Sequence, residues 1–251
     1  MKIGLIADIH GNIHALDRVV QELQQRRVEL LLCAGDLVCY GAFPNEVIAR
    51  LKALAIPTVL GNYDSAVAWN MASASSTPSS LLTEPIKVAA LEWTKEQITD
   101  EHRQYLRSLP WTTWHRFGST SLQMLHGGPL KLDEWYGQEF PHRLTELAEK
   151  TAVDILVIGH THQQFAVEIV RTNGEKTLII NPGAVGRSID GDPRAACAVL
   201  DLATRQIELL RVDYNLDAAI QAIASSGMPK EIAELVARGL RRVEQLAATP
   251  P

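Results

Sequence analysis

The chain has 251 residues, a formal net charge of −5, and 46% hydrophobic against 21% charged residues. That length allows one large domain with a sizeable core, and the composition is ordinary for a soluble globular protein. The acidic balance speaks against a broad nucleic-acid-binding face, which needs clustered Lys and Arg, and no apolar run reaches the roughly 20 residues that span a bilayer.

Lys2 to Ala7 reads as a buried first strand that stops at Asp8, too short an apolar run for a signal peptide. A helix follows, with Ile13, Leu16, Val20 and Leu23 on one face. Val28 to Ala34 is a second strand ending just before Gly35-Asp36. Pro44 to Leu54 is helical, and Pro57 to Leu60 is a third strand ending before Gly61-Asn62. Alternating strands and helices imply parallel strands with helical crossovers. Met71 to Ser80 is rich in Ser, Ala, Thr and Pro and reads as a loop, and Thr83 to Leu109 reads as two helices. Residues 64–110 are therefore expected to form a small helical cap within a single domain over residues 1–251. Trp111 to Phe117 and Ser119 to Leu125 resemble two strands joined at Gly118, the second running into His126-Gly127. Asp154 to Ile158 delivers Gly159-His160-Thr161-His162. Hairpins are expected around Asn173-Gly174 and between Ala195–Asp201 and Gln206–Arg211. An amphipathic helix follows Pro229, with Ile232, Leu235, Val236, Val243 and Leu246 on one side. The predicted fold is α/β: two mixed β-sheets packed as a sandwich flanked by helices.

Every motif just named sits at a strand end, where sites assemble in α/β sheets. Together they supply two carboxylates (Asp8, Asp36), one carboxamide (Asn62) and four of the eight imidazoles (His10, His126, His160, His162). Spacing alone lets Asp8 and His10 reach one ion, and His160 and His162 likewise. Asp36 has two oxygens and can bridge. Imidazole mixed with carboxylate favours transition metals over Ca. The expected cofactors are two divalent ions, with Mn first and Fe, Zn, Ni, Co or Mg as alternatives. Two such ions bring four positive charges, and Asp8, Asp36 and a bridging hydroxide offset three of them. The remaining charge suits a phosphate oxygen. Ions about 3.5–4 Å apart can activate water and clamp a phosphoryl group.

The ordered set Asp-x-His, Gly-Asp, Gly-Asn, His-Gly and Gly-His-x-His resembles the calcineurin-like metallophosphoesterase superfamily, over Met1 to about Asp213. Asp8-Ile9-His10-Gly11-Asn12 and Asn181-Pro182-Gly183-Ala184-Val185-Gly186 bring it nearest the bacterial phosphodiesterase-like branch. The resemblance implies Asp8, His10, Asp36 and His162 on one metal, with Asp36, Asn62, His126 and His160 on the other. It also implies a metal-bound hydroxide attacking phosphorus, with His126 or a metal-bound water helping the leaving oxygen. One position departs from the pattern. Many members read Gly-Asn-His at the third motif, and that His is thought to protonate the leaving group; here the residue is Tyr63. A phenol of pKa about 10 is a poorer acid near neutrality, which favours phosphodiester, nucleotide-like substrates over alkyl monoesters.

The plainer readings stand beside these. Asn12 is a candidate phosphate contact or an N-cap, Arg187 an anion grip or a loop arginine, and Asp64 a partner for a ligand or a helix cap. His14 reads as a surface residue or a support behind the ligands, and Trp111, Trp114, Trp135 and Tyr136 as an aromatic core or as the lining of a cap over a nucleobase. Alternative functions are a phosphoprotein or phosphomonoester phosphatase with the same centre, or a non-catalytic scaffold like the retromer subunit of this fold. Scaffolds of that kind tend to lose ligands, and this chain keeps all seven. The expected partner is a phosphate-ester small molecule or nucleotide, without stable nucleic-acid binding or membrane contact. Three cysteines, an odd number without Cys-x-x-Cys spacing, predict no disulfides and a cytoplasmic setting. Composition carries no oligomeric state.

Overall fold

The computed structural model describes residues 1–75, 85–241 and 245. Val243 and Leu246, expected on the last helix, lie outside them. Two mixed sheets stack face to face. The first has the order β2-β1-β8-β9, from β1 (Lys2–Ile6), β2 (Leu30–Cys33), β8 (Ala195–Asp201) and β9 (Gln206–Val212). The second has the order β3-β4-β5-β7-β6, from β3 (Thr112–Phe117), β4 (Thr120–Leu125), β5 (Ile155–Val157), β6 (Gln164–Val170) and β7 (Lys176–Pro182). β1 runs parallel to β2 and antiparallel to β8, while β4, β5 and β7 are mutually parallel.

Alternation along β1 explains the layering. Ile3, Leu5 and Ala7 face the inter-sheet core with Leu122, Met124, Ile155, Val157 and Ile180. Ile6 points the other way, into a cluster under α1 (Ile13–Gln25) and α2 (Pro44–Ala53). On the far face of the second sheet, α6 (Pro141–Thr151) packs Leu144, Leu147 and Ala148 against Leu156, Phe165 and Ile179. The result is the expected sandwich flanked by helices.

Three details differ from the sequence expectation. Pro57 to Leu60 is not a strand but a single parallel bridge, Thr58 to Cys33, closed by Cys33 N–H to Pro57 O and Val59 N–H to Cys33 O. Pro57 has no N–H to extend the ladder. A short helix, α3 (Asn62–Ala68), begins directly at the third motif. Helices α6 and α7 (Leu216–Ser225) occupy stretches that the sequence left unread.

The segment expected as a cap forms α4 (Pro85–Gln97) and α5 (Asp100–Ser108). Their Ala90, Leu91, Ile98 and Leu106 join the large cluster beneath α1, α2 and α8 (Lys230–Arg238). Both helices pack on α2 and α3, so the insert is continuous with the main core. All three cysteines are buried free thiols. Among the described residues no helix is long and apolar enough to cross a membrane.

Candidate metal centre

Asp8 follows β1, Asp36 follows β2, His126 follows β4, and His160 and His162 follow β5. These are neighbouring strand ends of the two stacked sheets, so loops from both converge on one point. Asn62 joins them from the first position of α3. Five of the seven candidate ligands adopt left-handed backbone without being glycine: Asp8, His10, Asp36, His160 and His162, with φ between 48° and 65°. Such conformations cost about 1–2 kcal/mol per residue and cluster where function over-determines the backbone.

Hydrogen bonds to the main chain fix the imidazoles. Nδ1–H of His10 donates to Val38 O (3.0 Å), that of His126 to Ala34 O (2.6 Å) and that of His162 to Arg187 O (2.6 Å). Facing a carbonyl, each Nδ1 must be the donor, so Nε2 is left with a lone pair directed inward. The two lone pairs of His10 and His162 then meet, Nε2 to Nε2, at 3.1 Å. His126 Nε2 lies 2.9 Å from Asn62 Oδ1 and 3.3 Å from Asp36 Oδ2, both acceptors. Asn62 is oriented because its Nδ2–H donates to Ala74 O at 2.9 Å, leaving Oδ1 also 3.0 Å from His160 Nδ1. Asp8 Oδ1 is buried without a hydrogen-bond partner. Around His10, His126 and His162 acceptor faces acceptor, an arrangement that only protons or cations make favourable.

The charges point the same way. Burial opposes a charge on His126, but Asp36 outweighs it and raises the imidazole to about 9. Burial likewise opposes the Asp36 carboxylate, yet His126 and His10 hold it below the usual range. On His10 burial wins and lowers the ring to about 4. The site therefore draws positive charge to the Asp36 edge. The donor set fits divalent transition metals: Asp8, His10 and His162 form one group and Asp36, His126 and His160 another, each with ligand atoms within 4.8 Å of one another. His160 and His162 thus belong to different groups. The spacing reading that both reach one ion gives way to the division that the family resemblance implied, with His162 beside Asp8 and His10 and His160 beside Asp36 and His126.

The remaining candidates surround this pair. Asn12 caps α1, its Oδ1 accepting from Ala15 N–H, while its amide donates to Gly186 O (3.1 Å) and to Tyr214 Oη (3.3 Å). Arg187 is only 4% exposed; its guanidinium lies 4.3 Å over the Tyr40 ring and donates to Arg241 O. Tyr63 is hydrogen-bonded through its hydroxyl to Tyr40, and its ring stands edge-on to His10 at 5.5 Å. Burial first, then Tyr40, pushes the Tyr63 phenol well above its ordinary value. Asp64 accepts from Leu37, Val38 and Gly61 N–H and so ties the second motif to the third.

One neighbour of the centre was missed in the sequence, and a second, Trp135, was read there only as core or as a nucleobase wall. Tyr40 sits 5.0 Å from the His10 ring, yet lies in the aperiodic run Leu37 to Gly41, where only an aromatic next to glycine marked it. Trp135 stands edge-on to His160 at 5.8 Å and carries Arg241 on its ring face.

The sequence profile of the calcineurin-like phosphoesterase superfamily domain matches residues 1–205. The chain belongs to this superfamily. It is 28% identical over 242 residues to the uncharacterized protein MJ0912 of Methanocaldococcus jannaschii, covering 92% of this chain and 96% of that protein. To phosphodiesterase YfcE of Escherichia coli it is 26% identical over 211 residues, covering 80% and 88%. The crystal structure of a metallophosphoesterase from Sphaerobacter thermophilus superposes with a TM-score of 0.76 at 26% identity, covering 96% of this chain and 99% of that one. The calcineurin-like domain match ends at Arg205, just before β9, so β9, α7, α8 and Arg241 lie beyond it.

Proposed function

We propose that this calcineurin-like phosphoesterase hydrolyses phosphodiesters of small, nucleotide-like molecules at a two-ion centre. The observation that carries the reading is the pair of ligand groups, Asp8/His10/His162 and Asp36/His126/His160, with Asn62 beside the second. Similarity to a protein named phosphodiesterase supports the ester class. Two divalent ions, Mn first among them, would supply charge neutralisation at the phosphoryl oxygens and an activated water.

The chain's own groups do the rest. Val38, Ala34 and Arg187 carbonyls hold the imidazoles in register, and Asp36 faces both groups. His126, given two roles by the sequence, is fully buried between Ala34 O and Asp36, surroundings that suit a ligand. The Tyr63 hydroxyl, whose ring stands beside His10, would be the hydrogen-bond donor for the leaving oxygen. Arg187 would grip the anion, and Asn12 would shape the site by holding the Gly186 turn. The described start of the loop after α3 is tied to the centre: Ala74 O accepts from Asn62, and Ser75 Oγ–H donates to Asp133 at 3.2 Å.

Hydrolysis of bis(p-nitrophenyl) phosphate with added Mn is the deciding assay. His162→Ala should cut kcat/KM by more than the ~10–100-fold typical of groups that merely support ligands. Absence of turnover with every divalent ion tried would overturn the reading in favour of a scaffold.

A further inference from the structure

We propose that Tyr40 is a positioning residue for this site: its hydroxyl aims that of Tyr63 at the leaving oxygen, and its ring face seats Arg187 for the phosphate. The inference rests on the proposed reading of Tyr63 and Arg187 as substrate-facing groups.

Tyr40 reaches its place through an unusual backbone. Cys39 and Tyr40 are consecutive left-handed residues with φ of 74° and 65°, a local conformation that bulky side chains avoid. Gly41, next in line, packs so tightly on His10 and Gly11 that a Cβ would collide with their backbone atoms. The strained turn swings Tyr40 beneath His10, edge-on at 5.0 Å, and Tyr40 ends 2% exposed. Its partner Tyr63 is half-buried and stands edge-on to the same imidazole. The two hydroxyls are hydrogen-bonded. Either hydroxyl can donate in this pair; each has one proton, so the arrangement we propose is the one with Tyr40 donating, which leaves the Tyr63 proton for the site.

The ring face has separate work. Arg187 lies over it at 4.3 Å. This buried guanidinium has no carboxylate partner among the described residues, its one hydrogen bond goes to a main-chain carbonyl, and its Nε is unpartnered. A buried cation beside a metal centre is unfavourable until an anion arrives, and cation–π contact with Tyr40 holds it meanwhile. Tyr40 thus serves two groups through two parts of one side chain. In hydrolysis the water oxygen joins phosphorus as the bond to the leaving oxygen breaks, and a water proton ends on the leaving alcohol. Tyr63 donates a hydrogen bond throughout and keeps its own proton. The device matters most for esters of ordinary alcohols, whose leaving oxygens need that donor.

Variants at Tyr40 separate the two parts. The Mn-loaded protein and its Tyr40→Phe, Tyr40→Leu and Tyr63→Phe variants would be assayed on phosphate esters from nitrophenyl to alkyl. Metal content and inhibition by inorganic phosphate would be measured alongside. Tyr40→Phe should lower kcat on alkyl esters about ten-fold and on nitrophenyl esters under about two-fold, with phosphate inhibition and metal content unchanged. Tyr40→Leu should in addition weaken phosphate inhibition about five-fold. Should Tyr40→Leu fail to fold, Tyr40→Phe decides alone. A uniform loss, or none, in Tyr40→Phe while Tyr63→Phe shows the steeper leaving-group dependence overturns the role of Tyr40 and leaves that of Tyr63 standing. Tyr63→Phe with wild-type dependence overturns both.

Discussion

At the scale of single residues, the centre is built on carbonyls as much as on ligands. Three imidazoles are oriented by main-chain oxygens of Val38, Ala34 and Arg187, and none of those oxygens could be assigned a role in advance. What each ligand type would do was legible from residue chemistry; which neighbour would orient it was not, since orientation is a contact across 25 to 92 residues of sequence. Tyr63 is the position where this chain departs from the Gly-Asn-His pattern. Tyr63→His should raise activity on alkyl esters more than on nitrophenyl esters, since an imidazole titrates nearer neutrality than a phenol. Parallel rate measurements on the two classes check this, and equal gains on both would sink the donor role.

Between elements, close approaches and strand-end locks hold the site's loops. Gly61 leaves the α3 turn so near Asp36 that a Cβ there would collide with its carboxylate and amide nitrogen. Gly61→Ala should therefore displace Asp36 and lower bound metal to about one ion or fewer per chain, read by elemental analysis of folded protein. Of the motif glycines Gly35, Gly61, Gly127 and Gly159, only Gly35 has a positive φ. Further from the site, Asp154 ties β5 to β4 by accepting from Ser121 N–H and Oγ–H, each at 2.7 Å. Ser121 N–H, foremost, keeps the Asp154 carboxyl below its ordinary value. A depressed carboxylate contributes stability that is present above the unfolded value and is lost as pH falls through the folded one. Asp154→Asn should cost about 1 kcal/mol at neutral pH and flatten the loss of stability below about pH 4. Urea denaturation of the metal-free protein at several pH values tests both.

Across the whole molecule, the two sheets meet through a dry core, and the site lies where their strand ends converge. Acceptors crowded there predict that bound cations stabilise the fold. Chelation should lower the melting temperature, and Mn at about 100 times its Kd should restore about 2.7 kcal/mol for each site. In a chain of this size each kcal/mol moves Tm by about 2–4 °C. Calorimetry with chelator and then Mn measures it; a melting temperature indifferent to both would contradict the metal assignment. The C-terminal part beyond the family domain also reaches the site, Arg241 stacking on Trp135 while its carbonyl accepts from Arg187. The ribbon from α8 thereby links the loop beside His160 to the loop beside His162.

Strand ends followed at once by Asp, His and Asn are local features, so the sequence alone determined the layered α/β fold, the superfamily and the ligand types. Periodicity also carried α1, α2 and the two hairpins, because one face of each is buried. It missed α7, whose near-continuous apolar run masks a helical period, and it gave Pro57 to Leu60 a ladder that a residue without N–H could not complete. The contact of Tyr40 with Tyr63 and the burial of Arg187 were decided only by tertiary structure. Each depends on backbone turns and on contacts between segments far apart in the chain, and no local pattern encodes the meeting of such segments.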